Sequence, residues 1–232
     1  MNGLTPDRLD DFLFSNPQDK ALLEMILSRQ LSFPFMGKSG ILIYGTWGTG
    51  KSTLATLLPE LIDTAYSDTY NLSQNIGQMS PAQGAATQTQ VFRCGSVNSA
   101  QVIQTIQNYN SRSQLLHYSQ QDYFVFDEID KLTVGAQQSL RSPMDLKRCM
   151  FFFSTNYLSK IDNGIINRCH LIEMNQVTDL KAYYPLARAI LKNMGHKANA
   201  IPTKTLTAYA QKAKGSVRSL RVSGILCKRG ES

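Results

Sequence analysis

The chain of 232 residues predicts an α/β fold: a doubly wound parallel sheet forming the core, followed by a small all-helical lid. Three observations carry that prediction. Ile41–Tyr44, Tyr123–Phe126 and Cys149–Ser154 are dense apolar runs of strand length, as parallel strands covered on both faces require. Segments of helical periodicity separate these runs. After Val177 the pattern turns helical throughout, punctuated by Gly195 and Pro202. A sheet built this way takes its ligand outside the carboxyl ends of its strands.

Taken in order, Ala21, Leu22, Met25, Ile26 and Leu31 recur at helical spacing and predict a helix over about Gln18–Gln30. A strand follows at 41–45, then a helix at 51–60, ending before Pro59 or soon after, because proline lacks an N–H and clashes with the preceding turn. Residues 69–111 hold a single charge, Arg93, and Asn71–Gln90 lacks periodicity. The region of about 63–90 therefore reads as a flexible polar insertion. A short strand at Gln90–Arg93 leads to a helix from about Asn98, with Val102, Ile103 and Ile106 on one face. Another helix covers Gly135–Leu140 and ends or kinks near Pro143. The tail supplies helices at about 178–194, 202–213 and 216–227. Two domains result, residues 1–177 and a basic helical lid at 178–232.

Directly after the first apolar run stands Gly45-Thr46-Trp47-Gly48-Thr49-Gly50-Lys51-Ser52, which fits the phosphate-loop pattern G-x-x-x-x-G-K-[ST]. Glycines let backbone N–H groups curl around phosphate oxygens, Lys51 brings a point charge toward the β- and γ-phosphates, and the Ser52 hydroxyl can ligate Mg²⁺. The loop with Thr53 forms the expected binding segment for ATP. A helix starting near Lys51 aims its positive end at the same anion. A glycine-rich strand-to-helix turn would explain the glycines but not the Lys-Ser pair.

Two further strand ends carry chemistry. Tyr123–Phe126 runs into Asp127-Glu128: Asp127 is placed to hold Mg²⁺, directly or through water, and Glu128 to polarise an attacking water as general base. Cys149–Ser154 runs into Thr155-Asn156, whose amide can hydrogen-bond both a γ-phosphate and the lytic water. Asn after a strand is also a common turn former.

No run of eighteen apolar residues is present, so no membrane span or membrane partner is expected, and the N-terminus has no basic-then-apolar signal. Cys94, Cys149, Cys169 and Cys227 are too scattered for a zinc site or a disulfide framework. A reducing interior is expected: cytosol, nucleus or an infected host cell. From residue 180 onward there are eleven Lys and Arg against Glu231 alone, a surplus of ten that leaves residues 1–179 with a deficit of three. Such a tail suits a polyanion, nucleic acid first. Solvated helix faces plus one nucleotide-sensing arginine are the other reading.

Asp127–Arg141 resembles the D-E-A-D-x-(M/L)-T-x-x-A-Q-x-(A/S)-L-R block of sliding-clamp loaders, the AAA+ ATPases that include replication factor C small subunits. Ser154–Ile161 followed by Ile165–Cys169 is similar to their C-N-x-x-x-K-I…I-x-S-R-C, with the same twelve-residue step from Asn156 to Arg168. Gly215–Arg221 is similar to G-D-x-R-x-x-L, and Thr5–Phe12 to the segment that lies near the adenine. The resemblance covers nearly the whole chain. It implies γ-phosphate sensing by Asn156, an arginine finger at Arg168 offered in trans to a neighbouring subunit, and a lid arginine at Arg218. The departures are Thr46-Trp47 where loaders carry Pro-Pro, Asn167 for Ser, the polar insertion, no cysteine zinc cluster, and no segment for the loaders' helical collar. A collarless chain is expected to assemble into a ring or spiral through its ATPase faces, or through another protein.

The resemblance thus implies an ATP-hydrolysing, DNA-associated switch in replication, clamp-loader-like or helicase-loader-like, with a sliding clamp, helicase or other replication protein as partner. Candidate DNA contacts are Asn98 and Ser99, at the start of a helix comparable to a DNA-facing loader helix, and Lys212 and Lys214 in the basic tail. A small viral or plasmid replicative helicase is the alternative motor. A nucleotide-locked scaffold is the non-enzyme alternative, against which stand Glu128, Asn156 and Arg168.

Overall fold

Alternation along the strands of this computed structural model sorts the side chains into two layers. It describes residues 6–66, 89–96, 100–106, 108, 121–146, 149–193, 202–213, 216, 217, 219 and 220. β1 (Gly40–Tyr44), β2 (Thr89–Arg93), β3 (Asp122–Asp127), β4 (Cys149–Thr155) and β5 (Cys169–Glu173) form one sheet in the order β2-β3-β4-β1-β5. Every neighbouring pair is parallel. Ile41, Ile43, Tyr123, Val125, Met150 and Phe152 point to one side, where α1 (Pro17–Leu27) and α2 (Lys51–Tyr66) cover them. Leu42, Phe124, Phe126, Phe151 and Phe153 point to the other. There they meet the helical residues 100–106 (α3), α4 (Val134–Ser139), α5 (Arg141–Met144) and α6 (Asn163–Asn167).

The second face holds an aromatic ladder set by register. Phe124 stands opposite Phe151, and Phe126 stands between Phe92 and Phe153. Their rings stack at centroid distances of 5.0 to 5.3 Å. Each of the four phenylalanines in β3 and β4 that belong to this ladder is fully buried, worth roughly 1.5–3 kcal/mol apiece.

Three expectations are corrected. α2 does not stop at Pro59 but runs to Tyr66 with Pro59 inside it. Its face of Leu54, Ala55, Leu58, Leu61, Ile62 and Ala65 is wholly buried, and that burial outweighs the ~3 kcal/mol a mid-helix proline costs. The helix ends where Arg29, at φ 62, turns its guanidinium onto the Ala65 carbonyl. The insertion is consequently shorter at both ends than 63–90, since Tyr66 is helical and β2 starts at Thr89; what lies between is outside the described residues. Thirdly, β5 and α6 were not foreseen. Cys169-His170-Leu171-Ile172-Glu173 mixes polar and apolar residues because it is an edge strand, half-buried at three of its five positions.

α1 starts as its sequence directs, with Asn16 accepting the Gln18 N–H and Pro17 in the first helical position. α4 breaks at Leu140, ahead of Pro143, which sits in the one-turn α5. The tail contributes α7 (Tyr184–Asn193) and α8 (Thr203–Ala213), which share a separate apolar cluster of Tyr183, Ala187, Ile190, Leu206, Ala210, Ala213 and Leu220. Leu13 and Val177 pack against that cluster. Among the described residues no helix is long and apolar enough to cross a membrane.

Phe152→Ala should destabilise the fold by about 3–5 kcal/mol, because the cavity opens between two covered layers. Val91→Ala, on the exposed edge of β2, should stay within about 0.5 kcal/mol of wild type. Urea unfolding of both variants checks this, and equal losses would contradict the two-layer core.

Candidate active site

β1 ends at Tyr44 and the chain turns through Gly45–Gly50 into α2. Gly45 and Gly48 hold φ values of 134° and 79°, backbone that side-chain-bearing residues rarely adopt. Both positions are also crowded: a Cβ at Gly45 would lie 2.5 Å from the Met174 carbonyl oxygen, and one at Gly48 would strike the Ser216 side chain. The loop is tied from beneath. Asn175 accepts the Thr46 N–H at 3.1 Å, while the Thr49 hydroxyl and the Lys51 ammonium donate to the Thr46 carbonyl at 3.0 and 2.6 Å.

Above this turn lies a cavity of about 320 Å³, within the size range of small-ligand sites. Trp47–Thr53 form its floor, Glu128 and the stretch Ser154–Asn156 one wall, and Pro6, Asp11, Phe12 and Val217 another. The predicted phosphate loop, Glu128 and Asn156 are thus brought together, and the N-terminal segment joins them. Burial raises the Asp11 carboxyl above its ordinary value, although N–H groups of Asp7 and Arg8 pull it the other way.

Two carboxylates at and just beyond the β3 end, those of Asp127 and Asp130, are held by hydroxyls from β4. The Ser154 hydroxyl donates to Asp127 at 2.5 Å and accepts the Glu128 N–H at 3.1 Å. The Thr155 hydroxyl donates to Asp130 at 2.6 Å and accepts the Tyr157 N–H at 3.0 Å. Glu128 takes left-handed backbone at φ 57 and ψ 52, which costs a non-glycine residue ~1–2 kcal/mol. Left-handed backbone breaks the strand after Asp127, and Glu128 then lines the cavity. Cys94 hydrogen-bonds through its N–H to the Asp127 carbonyl. Burial, with Asp127, Asp130 and Glu128 adding to it, pushes its thiol up to about 12, so it stays neutral beside them.

Gln137, fully buried in α4, knits the next layer: its amide donates to the Leu132 and Lys160 carbonyls and accepts the Asp162 N–H. Asp162 caps α6 and pairs with Arg141, which holds its carboxyl below the ordinary carboxylate value. These partners escaped the sequence reading, as did Ser154 and Thr155. Two hydroxyls closing an all-apolar run beside paired acids were the available signal.

Arg168 lies elsewhere. Its carbonyl accepts the N–H groups of Ser39 and Gly40, at the entry of β1. The cavity is at the exit, five residues or about 16 Å further on. Its guanidinium makes a two-pronged pair with Asp145 at 2.8 and 3.1 Å and donates to the Gly164 carbonyl at 3.1 Å. That pairing lowers Asp145 and raises Arg168 from their ordinary values. Arg218, Asn98, Ser99 and Lys214 fall outside the described residues, and Lys212 falls within α8.

The cavity suits a magnesium-bound nucleoside triphosphate. The positive-φ loop and Lys51 match phosphate oxygens. Ser52 and Asp127 are hard oxygen donors, as befits Mg²⁺, which takes one or two protein oxygens together with phosphates and water.

A family model described as the ATPase family associated with various cellular activities (AAA) matches residues 41–176, more than half of the chain. No curated protein matches it. Among solved structures, the RuvB Holliday junction branch migration motor of Thermotoga maritima is similar at a TM-score of 0.68 and 16% identity, over 98% of this chain and 66% of that one. PCH-2 of C. elegans is similar at a TM-score of 0.61 and 15% identity, over 94% and 64%. At such identities the likeness is one of fold. The chain spans just under two thirds of the length of these proteins.

Ser154→Ala removes one hydroxyl that serves both Asp127 and the Glu128 backbone. It should lower stability by about 1–3 kcal/mol and reduce turnover more than ATP affinity. Thermal melting, nucleotide titration and steady-state hydrolysis check this, and unchanged turnover would remove the hydroxyl from the site.

Proposed function

Because the chain belongs to the AAA family of ATPases, binding ATP with Mg²⁺ and hydrolysing it, we propose that it is an oligomeric, DNA-associated switch in replication, clamp-loader-like or helicase-loader-like. One observation carries the oligomeric part. The cavity gathers Lys51, Ser52, Glu128 and Asn156, while Arg168 stands at the other end of β1. A cation that cannot reach its own chain's cavity, yet follows Asn156 by the loader spacing, is suited to a neighbour's.

Each residue has a role in this reading. Loop N–H groups and Lys51 hold the phosphates, and Ser52 and Asp127 hold Mg²⁺. Bound Mg²⁺ neutralises charge on the β- and γ-phosphates. Asn156 orients water against the γ-phosphorus. Glu128 takes the water proton onto a carboxylate oxygen as the new P–O bond forms and the bond to the leaving ADP oxygen breaks. Arg168 of an adjacent subunit offsets charge on the transferring phosphoryl group, and Arg218 acts on its own subunit's nucleotide. Residues 178–232 form the lid, and its basic surplus meets DNA phosphates. A sliding clamp, a helicase or another replication protein inside the cell is the fitting partner. A motor that separates or moves DNA strands is the second reading. The RuvB likeness favours it only through shared fold, and unwinding of a tailed duplex would select it.

Glu128→Gln should bind ATP but turn it over very slowly, whereas Lys51→Ala should lose binding. Arg168→Ala should retain ATP affinity and lose about 10³-fold or more in turnover. Mixing Arg168→Ala with Lys51→Ala subunits should restore part of the activity, because an intact loop then meets an intact finger. Failure to recover despite demonstrated co-assembly would return Arg168 to a purely structural role.

DNA affinity should fall steeply with salt, with a log–log slope near −0.9 per phosphate contact on duplex. Replacing Lys212 and Lys214 by Ala should lower that slope by up to about two units. Salt-insensitive binding, or none, would make the tail a solvated surface.

A further inference from the structure

We propose that the side chains of Trp47 and Tyr157 form a brace that positions Asn156 against the phosphate loop. The proposal rests on the reading of Asn156 given above. Tyr44 and Thr155 are the last paired residues of β1 and β4. Beyond them the ladder ends, and no backbone hydrogen bond among the described residues joins the phosphate loop to residues 156–160. The gap is crossed by one aromatic contact. Trp47 and Tyr157 meet edge to face, with centroids 5.8 Å apart and planes at 79°.

Tyr157 is held on three sides. Trp47 is at its ring, the Lys160 ammonium stands 4.2 Å from the ring centroid, and its N–H donates to the Thr155 hydroxyl, itself anchored on Asp130. Asn156 sits between two fixed neighbours, while its own amide makes no hydrogen bond to any described residue. What aims that amide is therefore the backbone on either side of it. Thr155 fixes one side and Tyr157 the other.

Burial does not account for the pair. Trp47 is 61% exposed and Tyr157 38% exposed, so neither is retained as core. Trp47 lies in the cavity floor, and Tyr157 directly follows the wall residue Asn156. Edge-to-face contact and a cation over the ring face supply a directional link of moderate strength. Moderate strength suits positioning: its loss misplaces the water-orienting amide without emptying the site.

The test is a set of variants at a protein concentration where turnover per subunit no longer rises. Trp47→Ala and Tyr157→Ala should each lower kcat about three- to tenfold, with the KM for ATP changed less than twofold. The double variant should be no worse than either single one. In an Asn156→Ala background neither substitution should lower kcat further. Trp47→Phe, which keeps an edge, should recover most of the activity, and it replaces Trp47→Ala should that variant melt early. Trp47 is the sole tryptophan, so its emission should shift in Tyr157→Ala protein and respond less to a non-hydrolysable ATP analogue. Multiplicative losses in the Asn156→Ala background, a rise in KM alone, or losses that vanish at higher protein concentration would each overturn the brace. Wild-type turnover by Asn156→Ala would instead overturn the role of Asn156 itself, and the brace with it.

Discussion

β3 and β4 are covered on both faces, and that constraint governs the rest of the molecule. A strand between two helical layers has no solvent-facing side, so Asp122–Asp127 and Cys149–Thr155 fill with aromatic and aliphatic groups until the layers run out. At their carboxyl ends both runs turn polar at the same level, since the register pairs Phe126 with Phe153. Asp127 and Ser154 therefore follow side by side, Ser154 buried and Asp127 half-buried, and the acids and the hydroxyls that hold them arise from one geometric fact.

Those hydroxyls matter because the site gathers like charges. Asp127, Glu128 and Asp130 lie within four residues of chain, Glu128 exposed and the two aspartates half-buried. Ser154 and Thr155 each donate their one proton to an acid while accepting a backbone N–H, which fixes the orientation of the hydroxyl. Left-handed backbone at Glu128 then ends the strand directly after Asp127.

Much of this was legible in the sequence, and the limits have physical causes. β1, β3 and β4 read plainly because two-sided burial leaves unbroken apolar runs. The phosphate loop read plainly because Gly45 and Gly48 have no substitute where a Cβ would strike Met174 or Ser216. β5 did not, since an edge strand half-buried at three of its five positions mixes polar and apolar residues and dilutes the pattern. The length of α2 was misjudged because Pro59 argues locally, whereas the buried stripe from Leu54 to Ala65 argues through tertiary contact. Gln137, Asp145 and Asp162 were silent for a similar reason. Each has a partner 21 to 25 residues away, and no local rule pairs them.

Arg168 combines two attachments that are usually separate. Its side chain is a surface group paired with Asp145, yet its carbonyl receives the first N–H groups of β1. β1 is a central strand, bonded on both edges and too stiff to shorten. One residue therefore fixes both the entry of β1 and a surface ion pair, so a substitution at position 168 that shifts the backbone reaches the sheet as well as the surface.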